Sequence, residues 1–504
     1  MKKTPSTIWP VIAVDRKATK PLHKQIYDAY RAMVVDGNVS PGQRVPSTRA
    51  LAVELKISRI PVLTAYSQLL AEGYFESRTG AGTFVCDSLP GQLSRRDRGD
   101  QRTNGSRSGS RSLSHRASLL PRLERRPWLG GFGAFSISEP AFDEFPFQVW
   151  SRLVMKHCRG LSLAGLHYGN PLGFGPLREA ICAYLRTARA VRCDPHQVMI
   201  VNGSQQALEI TARVLLDEGS PVWLEEPGYW LTQHILTGAG CRLLPVPVDE
   251  EGLQVEVGIK SFRRAKAAFV APSHQYPLGA TMSASRRLQL LDWAQSARAW
   301  IIEDDYDSEY RYGSMPVASL QGLDRNSRVI YIGTFSKTLF PSLRLGYVVI
   351  PEDLVERFAA VRYGMDISPP HFFQAVLTDF MREGHFARHI RRMRQLYAER
   401  RRALVDAIKE EFSSALRITG DDAGLYLAVI LPKGLCDQEL AARAARQRLW
   451  LQPLSPAYLG ADRRQGFILG FGGTPAQDMP KAVRRLRSVL DAESLAAAGS
   501  VKSG

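Results

Sequence analysis

The sequence predicts an α/β protein in two parts, a small helical module ending in a β-hairpin and a larger domain of strands alternating with helices. Apolar residues recur at helical spacing through the N-terminal part, whereas short apolar strands alternate with amphipathic helices from about Trp128 to Leu490. The stretch between them is rich in Ser, Gly and Arg, so it cannot bury a core. We therefore expect a helical module over residues 14–85, a flexible basic linker over 86–126 and an α/β domain over 127–490.

The positive charge of the chain is concentrated near its N-terminus. The net charge is +17, of which residues 1–86 carry +6 and residues 87–126 another +6, while the remaining 378 residues carry only +5. This asymmetry indicates a polyanionic partner for the N-terminal part. A basic region that only keeps the protein soluble is the alternative interpretation.

The composition also bears on the compartment. The 504 residues contain no uncharged apolar run of the ~18 residues that cross a bilayer, and the short stretch from Ile8 to Val14 has no signal-peptide cleavage pattern. The six cysteines show neither a C-x-x-C pair nor metal-ligand spacing. We expect a cytoplasmic protein with reduced thiols, no metal site and no membrane contact.

The N-terminal module shows the start and stop signals of three short helices. The first helix carries Leu22 and Ile26 and ends before Gly37, and Ser47 is a suitable N-cap for the second. Ser58 precedes the third helix as a second N-cap, and the Gly-rich stretch 73–85 predicts a hairpin. Three helices and a hairpin form a winged helix-turn-helix, whose third helix fits the DNA major groove.

Three stretches of this module, PLHKQIYDAYRAMVVDG, PGQRVPSTRALAVELKISR and AYSQLLAEGYFESRTGAGTFV, closely resemble the GntR-type DNA-binding domain. The resemblance implies a double-stranded DNA operator as partner. It also implies contacts to phosphate or base from Arg49 in the second helix, from Ser58 and Arg59 at the start of the third, and from Arg78 and Gly80 in the wing. The chain departs from the family pattern at Ile60-Pro61, where polar residues are common.

Two constellations in the large domain follow apolar strands. The strand 198–201 runs into Asn202-Gly203-Ser204-Gln205 and then an amphipathic helix, and such a helix N-terminus can cradle a phosphate. The strand 299–303 ends in acidic residues, at the strand end where α/β sheets bind ligands. A carboxylate there can keep a pyridine nitrogen protonated. A plain helix cap and a solvated acidic turn are the alternatives.

The third constellation is a lysine placed directly after an apolar strand. The strand 329–334 leads into Phe335-Ser336-Lys337, and Arg344 follows shortly afterwards. Burial lowers the pKa of a lysine and favours an amine able to form a Schiff base. Thr334, Ser336 and Arg344 together can bind a phosphate. Phosphate cradle, acid and amine in this order are the parts of a pyridoxal phosphate site.

Five motifs resemble the fold-type-I aminotransferase domain, which has a large α/β sheet and a smaller C-terminal α+β subdomain. They are GTFSK with its following RLGY, EDDYDSE, EEPGY, HYGNPLGFGPLR (167–178) and PSHQYPLG (272–279). Combined with the N-terminal module, they resemble the MocR/GabR-type subgroup of GntR regulators. The resemblance covers essentially the whole chain.

The resemblance implies that pyridoxal 5'-phosphate binds through a Schiff base to Lys337, with Asp304 at the pyridine nitrogen and Tyr306 at the phenolic oxygen. The phosphate would be held by Gly203, Ser204, Gln205, Ser336 and Arg344. Tyr229, or the adjacent Trp230, would stack on the ring. Tyr168 would reach into the partner's site of a homodimer, while His274 and Gln275 lie in a motif without an assigned role.

Two departures distinguish the chain from working aminotransferases. Tyr276 stands where those enzymes usually have an asparagine, and the stretch 465–473 lacks the arginine that usually clamps a substrate carboxylate. Losing this clamp weakens substrate positioning, which favours sensing over turnover or a ligand without an α-carboxylate.

Three functions remain open on these residues. The leading hypothesis is a transcriptional regulator that binds pyridoxal phosphate and senses an amine or amino-acid effector. The second is a pyridoxal-phosphate-dependent aminotransferase with real turnover, motivated by the intact pair of Lys337 and Asp304. The third is a vitamin B6 sensor that responds to the cofactor itself and controls its synthesis genes.

Overall fold

The computed structural model describes residues 12–86, 113–120, 126–129, 131–137, 139–160, 163–313, 318–413, 415–420 and 422–500. The chain divides into two compact units, Met1–Arg111 and Ser112–Gly504. Among the described residues, no helix combines the length and the apolar character needed to cross a membrane.

The N-terminal unit is the predicted winged helix-turn-helix. Its elements are α1 (Leu22–Val35), α2 (Thr48–Glu54), α3 (Arg59–Ala71), β1 (Phe75–Arg78) and β2 (Gly82–Val85), with the two strands paired antiparallel. Ser47 caps α2 as predicted, since its hydroxyl accepts a hydrogen bond from the Ala50 N–H. Residues 55–58 connect α2 to α3. The tip of the hairpin turns at Gly80, whose φ of 73° suits glycine.

Ser58 occupies the N-cap position of α3, but its side chain makes no capping hydrogen bond, contrary to the expected cap. An N-cap side chain accepts from the second or third N–H of its helix, and the third helical residue is Pro61, which has none. The core behind α3 is apolar, with Val62, Ala65 and Leu69 fully buried. The opposite face of α3 is exposed to solvent.

Most of the predicted linker lies outside the described residues. Of its described part, residues 115–119 form a short helix, α4 (His115–Leu119), in which Ser114 accepts a hydrogen bond from the Ala117 N–H. Arg116 pairs with Glu218 at 2.5 Å. This end of the predicted linker therefore has local structure that its Ser- and Arg-rich composition did not indicate.

The larger unit is built on an eight-stranded sheet. Its strands are β3 (Val198–Val201), β4 (Pro221–Glu226), β5 (Arg242–Asp249), β6 (Gly252–Leu253), β7 (Ala267–Val270), β8 (Trp300–Asp305), β9 (Val329–Thr334) and β10 (Gly346–Val349). Their order in the sheet is β3-β10-β9-β8-β7-β4-β5-β6. Strands β9, β8, β7, β4 and β5 run parallel, whereas β10 is antiparallel to both β3 and β9, and β6 is antiparallel to β5. β3, β7, β9 and β10 are buried along their whole length, as expected of a sheet covered on both faces.

Helices pack around this sheet and lead to a second one. The helices are α5 (Phe147–Arg159), α6 (Leu163–Leu166), α7 (Gly175–Arg189), α8 (Ser204–Leu215), α9 (Trp230–Gly238), α10 (Val255–Ser261), α11 (Ala284–Ala297), α12 (Leu320–Leu323), α13 (Val355–Asp366), α14 (His371–Arg382), α15 (His385–Phe412), α16 (Asp437–Arg446) and α17 (Met479–Ser500). The second sheet is antiparallel, of order β11-β12-β14-β13, with β11 (Arg417–Thr419), β12 (Tyr426–Ile430), β13 (Gln452–Pro453) and β14 (Gly466–Gly470). The predicted large domain with a smaller C-terminal α+β part is confirmed.

Candidate functional site

A cavity of about 350 Å³ lies at the carboxyl ends of four neighbouring parallel strands. Glu225 at the end of β4, Val270 at the end of β7, Asp304 near the end of β8 and Thr334 at the end of β9 all line it. Residues of the small sheet close the opposite side. This is the position where parallel α/β sheets place ligands, because helix N-termini and strand ends converge there.

Lys337 and Asp304, the predicted amine and acid, both line the cavity. Burial lowers the pKa of the Lys337 amine to about 8, although the carboxylates of Asp307 and Asp304 act in the opposite direction. At neutral pH roughly a tenth of such a group is uncharged, far more than for an ordinary lysine. The site therefore provides a nucleophilic amine.

The Asp304 carboxyl has an unmet hydrogen-bonding requirement. Burial raises its pKa to about 7, and the neighbouring Asp305 and Asp307 add to the rise. Its Oδ1 atom is buried and has no hydrogen-bond partner within the described part of the chain. Because an unsatisfied buried carboxyl is costly, the residue is suited to a cationic or N–H group of a bound molecule.

The residues predicted to hold a phosphate come together at one end of the cavity. Gly203 precedes α8 with a φ of 91°, and a Cβ there would lie 3.1 Å from Nη2 of Arg344. Arg344 itself donates through Nη2 to the Asn202 carbonyl oxygen at 2.7 Å. Ser204 and Gln205 form the first turn of α8 and line the cavity with Ser336. The first N–H groups of a helix, hydroxyls and a guanidinium form a suitable anion cradle.

The predicted aromatic residues form one wall. Tyr229 and Trp230 both line the cavity, with ring centroids 6.5 Å apart, and the Tyr276 ring is edge-on to Tyr229 at 5.3 Å. The Tyr306 hydroxyl also lies there, but it donates to the His274 carbonyl oxygen at 2.6 Å. Both Tyr229 and Trp230 line the cavity, so either side chain could stack on the ring of a bound molecule.

Sequence reasoning missed several cavity residues. Glu225 belongs to the EEPGY motif, from which the sequence predicts a role only for Tyr229. Burial raises the pKa of Glu225 to about 8. Tyr426 and Gln452 come from the small sheet, and Tyr426 lies 2.7 Å from Tyr306, hydroxyl to hydroxyl. Nothing in the local sequence of these two marks them, since only the packing of the two sheets brings them to the site.

Some predicted residues lie elsewhere. His274 and Gln275 are buried next to the cavity rather than among its lining residues, and His274 Nδ1 faces an Asp307 oxygen at 3.0 Å. Tyr168 is 72% exposed and does not line the cavity of its own chain. Its assignment to a partner's site stays a prediction.

In the N-terminal unit, the predicted DNA contacts of α2 and α3 are exposed and close together. Arg59 donates through Nε to the Thr48 hydroxyl at 3.1 Å, which holds the start of α3 beside the start of α2, where Arg49 is exposed. Ser58 is exposed as well, with its hydroxyl unused by the helix. Ile60 is 73% exposed on the same first turn, so this turn can contact thymine methyl groups as well as phosphates.

The wing presents its predicted residues differently. Arg78 is paired with Glu76 at 2.5 Å and lies 4.6 Å from the centre of the Phe84 ring. Gly80 is exposed at the hairpin tip, where its positive φ closes the turn. A DNA phosphate would therefore compete with Glu76 for the Arg78 guanidinium.

The chain matches two family models. The model described as aminotransferase class I and II matches residues 134–486, and that of the bacterial regulatory proteins of the gntR family matches residues 22–85. Two solved structures resemble the larger part. They are a multiple substrate aminotransferase from Thermococcus profundus (TM-score 0.69, 28% identity, 76% of this chain and 98% of that one) and the α-aminoadipate aminotransferase LysN from Thermus thermophilus in complex with N-(5'-phosphopyridoxyl)-L-leucine (TM-score 0.69, 28% identity, 75% and 97%).

Relatives of full length include regulators. The chain is 41% identical over 482 residues to a probable rhizopine catabolism regulatory protein MocR of Rhizobium meliloti, covering 95% of this chain and 96% of that protein. It is 32% identical to the HTH-type transcriptional regulator TauR of Rhodobacter capsulatus, over 91% and 95% of the two chains. Because such regulators match it across both domains, the chain belongs to the MocR-type subgroup of the GntR-family transcription regulators, with a helix-turn-helix DNA-binding domain and a class I and II aminotransferase domain.

Proposed function

We propose that this regulator binds pyridoxal phosphate and an amine or amino-acid effector in the cavity, and that their binding changes its affinity for a double-stranded DNA operator. The observation that carries the proposal is the presence in one cavity of a half-buried amine, Lys337, and of a buried carboxyl atom, Asp304 Oδ1, that has no hydrogen-bond partner among the described residues. Coupling between the two domains requires the ligands to bind one DNA-binding state better than the other.

The residues present fit the cofactor. Asp304 would accept the ring N–H, Lys337 would be the attachment point, and the cradle of Gly203, Ser204 and Arg344 would neutralise the phosphate. When bound, pyridoxal phosphate supplies an aldehyde that reacts with amines and a ring that withdraws electrons from the attached atoms. The phosphopyridoxyl ligand of the Thermus thermophilus aminotransferase supports the same cofactor here.

The effector side of the cavity favours sensing over turnover. The stretch that usually carries the carboxylate clamp is here β14 and its flank, and β14 is buried and apolar throughout. Among the described residues that line the cavity, Arg344 is the only arginine, and it belongs to the phosphate cradle. Turnover is the second candidate function, and it is supported by the presence of Lys337 and Asp304 in the same cavity.

The proposal is tested by the DNA affinity of the full-length protein. Operator DNA is selected from a random pool by the protein itself, and its dissociation constant is measured without cofactor, with pyridoxal phosphate, and with cofactor plus a panel of amines and amino acids. We expect an effector to change the constant by about 5- to 150-fold. A change caused by the cofactor alone would favour the vitamin B6 sensor. Repeated conversion of amines and 2-oxo acids with constant DNA affinity would establish an enzyme instead.

Asp304→Asn is expected to weaken cofactor binding by about tenfold or more, because the amide keeps the shape of the side chain but cannot stabilise a protonated ring nitrogen. Equilibrium dialysis of pyridoxal phosphate against the apoprotein measures the effect. Asp353→Asn removes an exposed carboxylate outside the cavity and serves as the control. Equal cofactor affinity in wild type and Asp304→Asn would contradict the assignment.

We also propose that the protein forms a homodimer. We propose that it is located in the cytoplasm, together with its operator DNA. Exposed apolar side chains support the dimer: Leu166, the last residue of α6, is 70% exposed, and Tyr168, two residues later, is 72% exposed. Such side chains in one segment suit a protein interface.

A further inference from the structure

The Arg126 guanidinium lies beside the aromatic wall of the cavity, and one of its donor atoms has no acceptor among the described residues. The Arg126 guanidinium carbon is 4.8 Å from the centre of the Trp230 ring. Its Nη1 atom is buried and, within the described residues, has no hydrogen-bond acceptor. A buried charged donor without an acceptor costs more than a partnered one, so the position is suited to an anionic group of a ligand.

Arg126 borders the cavity through two of its lining residues. Trp230 is one, and its ring is the surface on which the guanidinium lies. Tyr276 is the other: burial and Tyr229 raise the pKa of its hydroxyl, and the charge of Arg126 acts in the opposite direction. Since Trp230 and Tyr276 flank Tyr229, the cation lies at the wall predicted to face the cofactor ring.

Among the described lining residues, the two cations already have other roles. Arg344 is bonded to the Asn202 carbonyl at the phosphate end, and Lys337 is the proposed attachment point of the cofactor. An amino acid entering the cavity would bring a carboxylate with no cation left for it among the described lining residues. Arg126 contacts Trp230 of that lining, and its Nη1 atom has no acceptor among the described residues.

We propose that Arg126 binds the carboxylate of an amino-acid effector, replacing the clamp that is missing from the stretch 465–473. The inference rests on the proposed binding of cofactor and effector in this cavity. Arg126 is also the last residue of the segment that the sequence predicts as the linker. In this proposal the carboxylate is recognised by a residue of the predicted linker rather than by the C-terminal sheet.

The test compares Arg126→Gln with wild type, both full-length and loaded with pyridoxal phosphate. Isothermal titration calorimetry measures the binding of each common amino acid beside the amine obtained by its decarboxylation, for example L-phenylalanine beside 2-phenylethylamine. We expect wild type to bind at least one amino acid more tightly than its amine. Arg126→Gln should weaken that amino acid by about 10- to 100-fold and change the amine less than twofold.

Arg328→Gln is the matched control, because Arg328 lies 5.1 Å from the centre of the Trp300 ring in the same kind of stacking and does not line the cavity. It should leave both ligands unaffected. Equal weakening of amino acid and amine in Arg126→Gln would assign Arg126 a purely structural role and overturn the proposal. So would a cofactor-loaded wild type that binds only the amines or none of the amino acids. Failure to retain the cofactor at all would instead contradict the proposed function.

Discussion

Lys337→Ala is expected to lose the visible absorption of pyridoxal phosphate after gel filtration, whereas the wild type retains it. The lysine contributes the amine through which the cofactor would be held covalently, and burial keeps part of that amine neutral by lowering its pKa to about 8. Alanine leaves the phosphate cradle and Asp304 unchanged, so the remaining binding is noncovalent and exchanges during the column. The measurement is the absorption spectrum of reconstituted protein before and after filtration.

The control is Lys433→Ala, which removes an exposed lysine outside the cavity and should retain the band. Circular dichroism of Lys337→Ala establishes that it is folded. If the folded variant keeps the same band as wild type, the cofactor is not attached at Lys337. If wild type itself shows no band after reconstitution, the domain has lost the cofactor and the protein uses another ligand.

Arg59→Ala is expected to weaken binding to the selected operator DNA by about 1–3 kcal/mol, which is roughly 5- to 160-fold. The side chain is exposed at the start of α3 and is held beside α2 by its hydrogen bond to Thr48, so it is ordered before DNA binds. Arg49→Ala should have an effect of similar size. Arg78→Ala should have a smaller one, because Arg78 already pairs with Glu76.

Fluorescence anisotropy at several salt concentrations distinguishes contacts to DNA phosphates from contacts to DNA bases. Loss of a phosphate contact reduces the slope of log K against log salt concentration by about one for any DNA. Loss of a base contact mainly reduces the preference for operator over random DNA. Arg31→Gln is the control, since Arg31 is exposed on α1 of the same unit, where Nε donates to Tyr74. If Arg31→Gln and Arg59→Ala weaken binding equally, the effect is one of total charge rather than of contacts from α3.

The N-terminal module could be predicted almost element by element, because its signals are local. Ser47 before α2, Gly37 after α1 and the glycines of the hairpin each act within a few residues. The capping bond of Ser58 is the exception, and a local feature accounts for part of it: Pro61 lacks one of the two N–H groups from which the Ser58 hydroxyl could accept a hydrogen bond. The degree of exposure of Ile60, in contrast, follows from how α3 packs on α1 and α2.

The candidate site was predictable only where it follows strands. Lys337 and Asp304 stand at the ends of two adjacent parallel strands, β9 and β8, and strand ends of one sheet necessarily meet at one edge. Glu225 was overlooked within a recognised motif, because nothing in the sequence shows that its side chain is buried. Arg126 was grouped with the linker by composition, although the structure packs it against Trp230.

The amino-acid sequence by itself determined the two-domain organisation and the order of the strands and helices along the chain, and it predicted the candidate amine, acid and phosphate cradle. Periodicity, caps and motifs are properties of neighbouring residues and can be read without a fold. Only the tertiary structure decided which side chains complete the cavity, as Tyr426, Gln452 and Tyr276 do. It also decided which polar atoms remain without partners, as Asp304 Oδ1 and Arg126 Nη1 do among the described residues. The physical reason is that burial and hydrogen-bond partners depend on contacts between segments far apart in the chain.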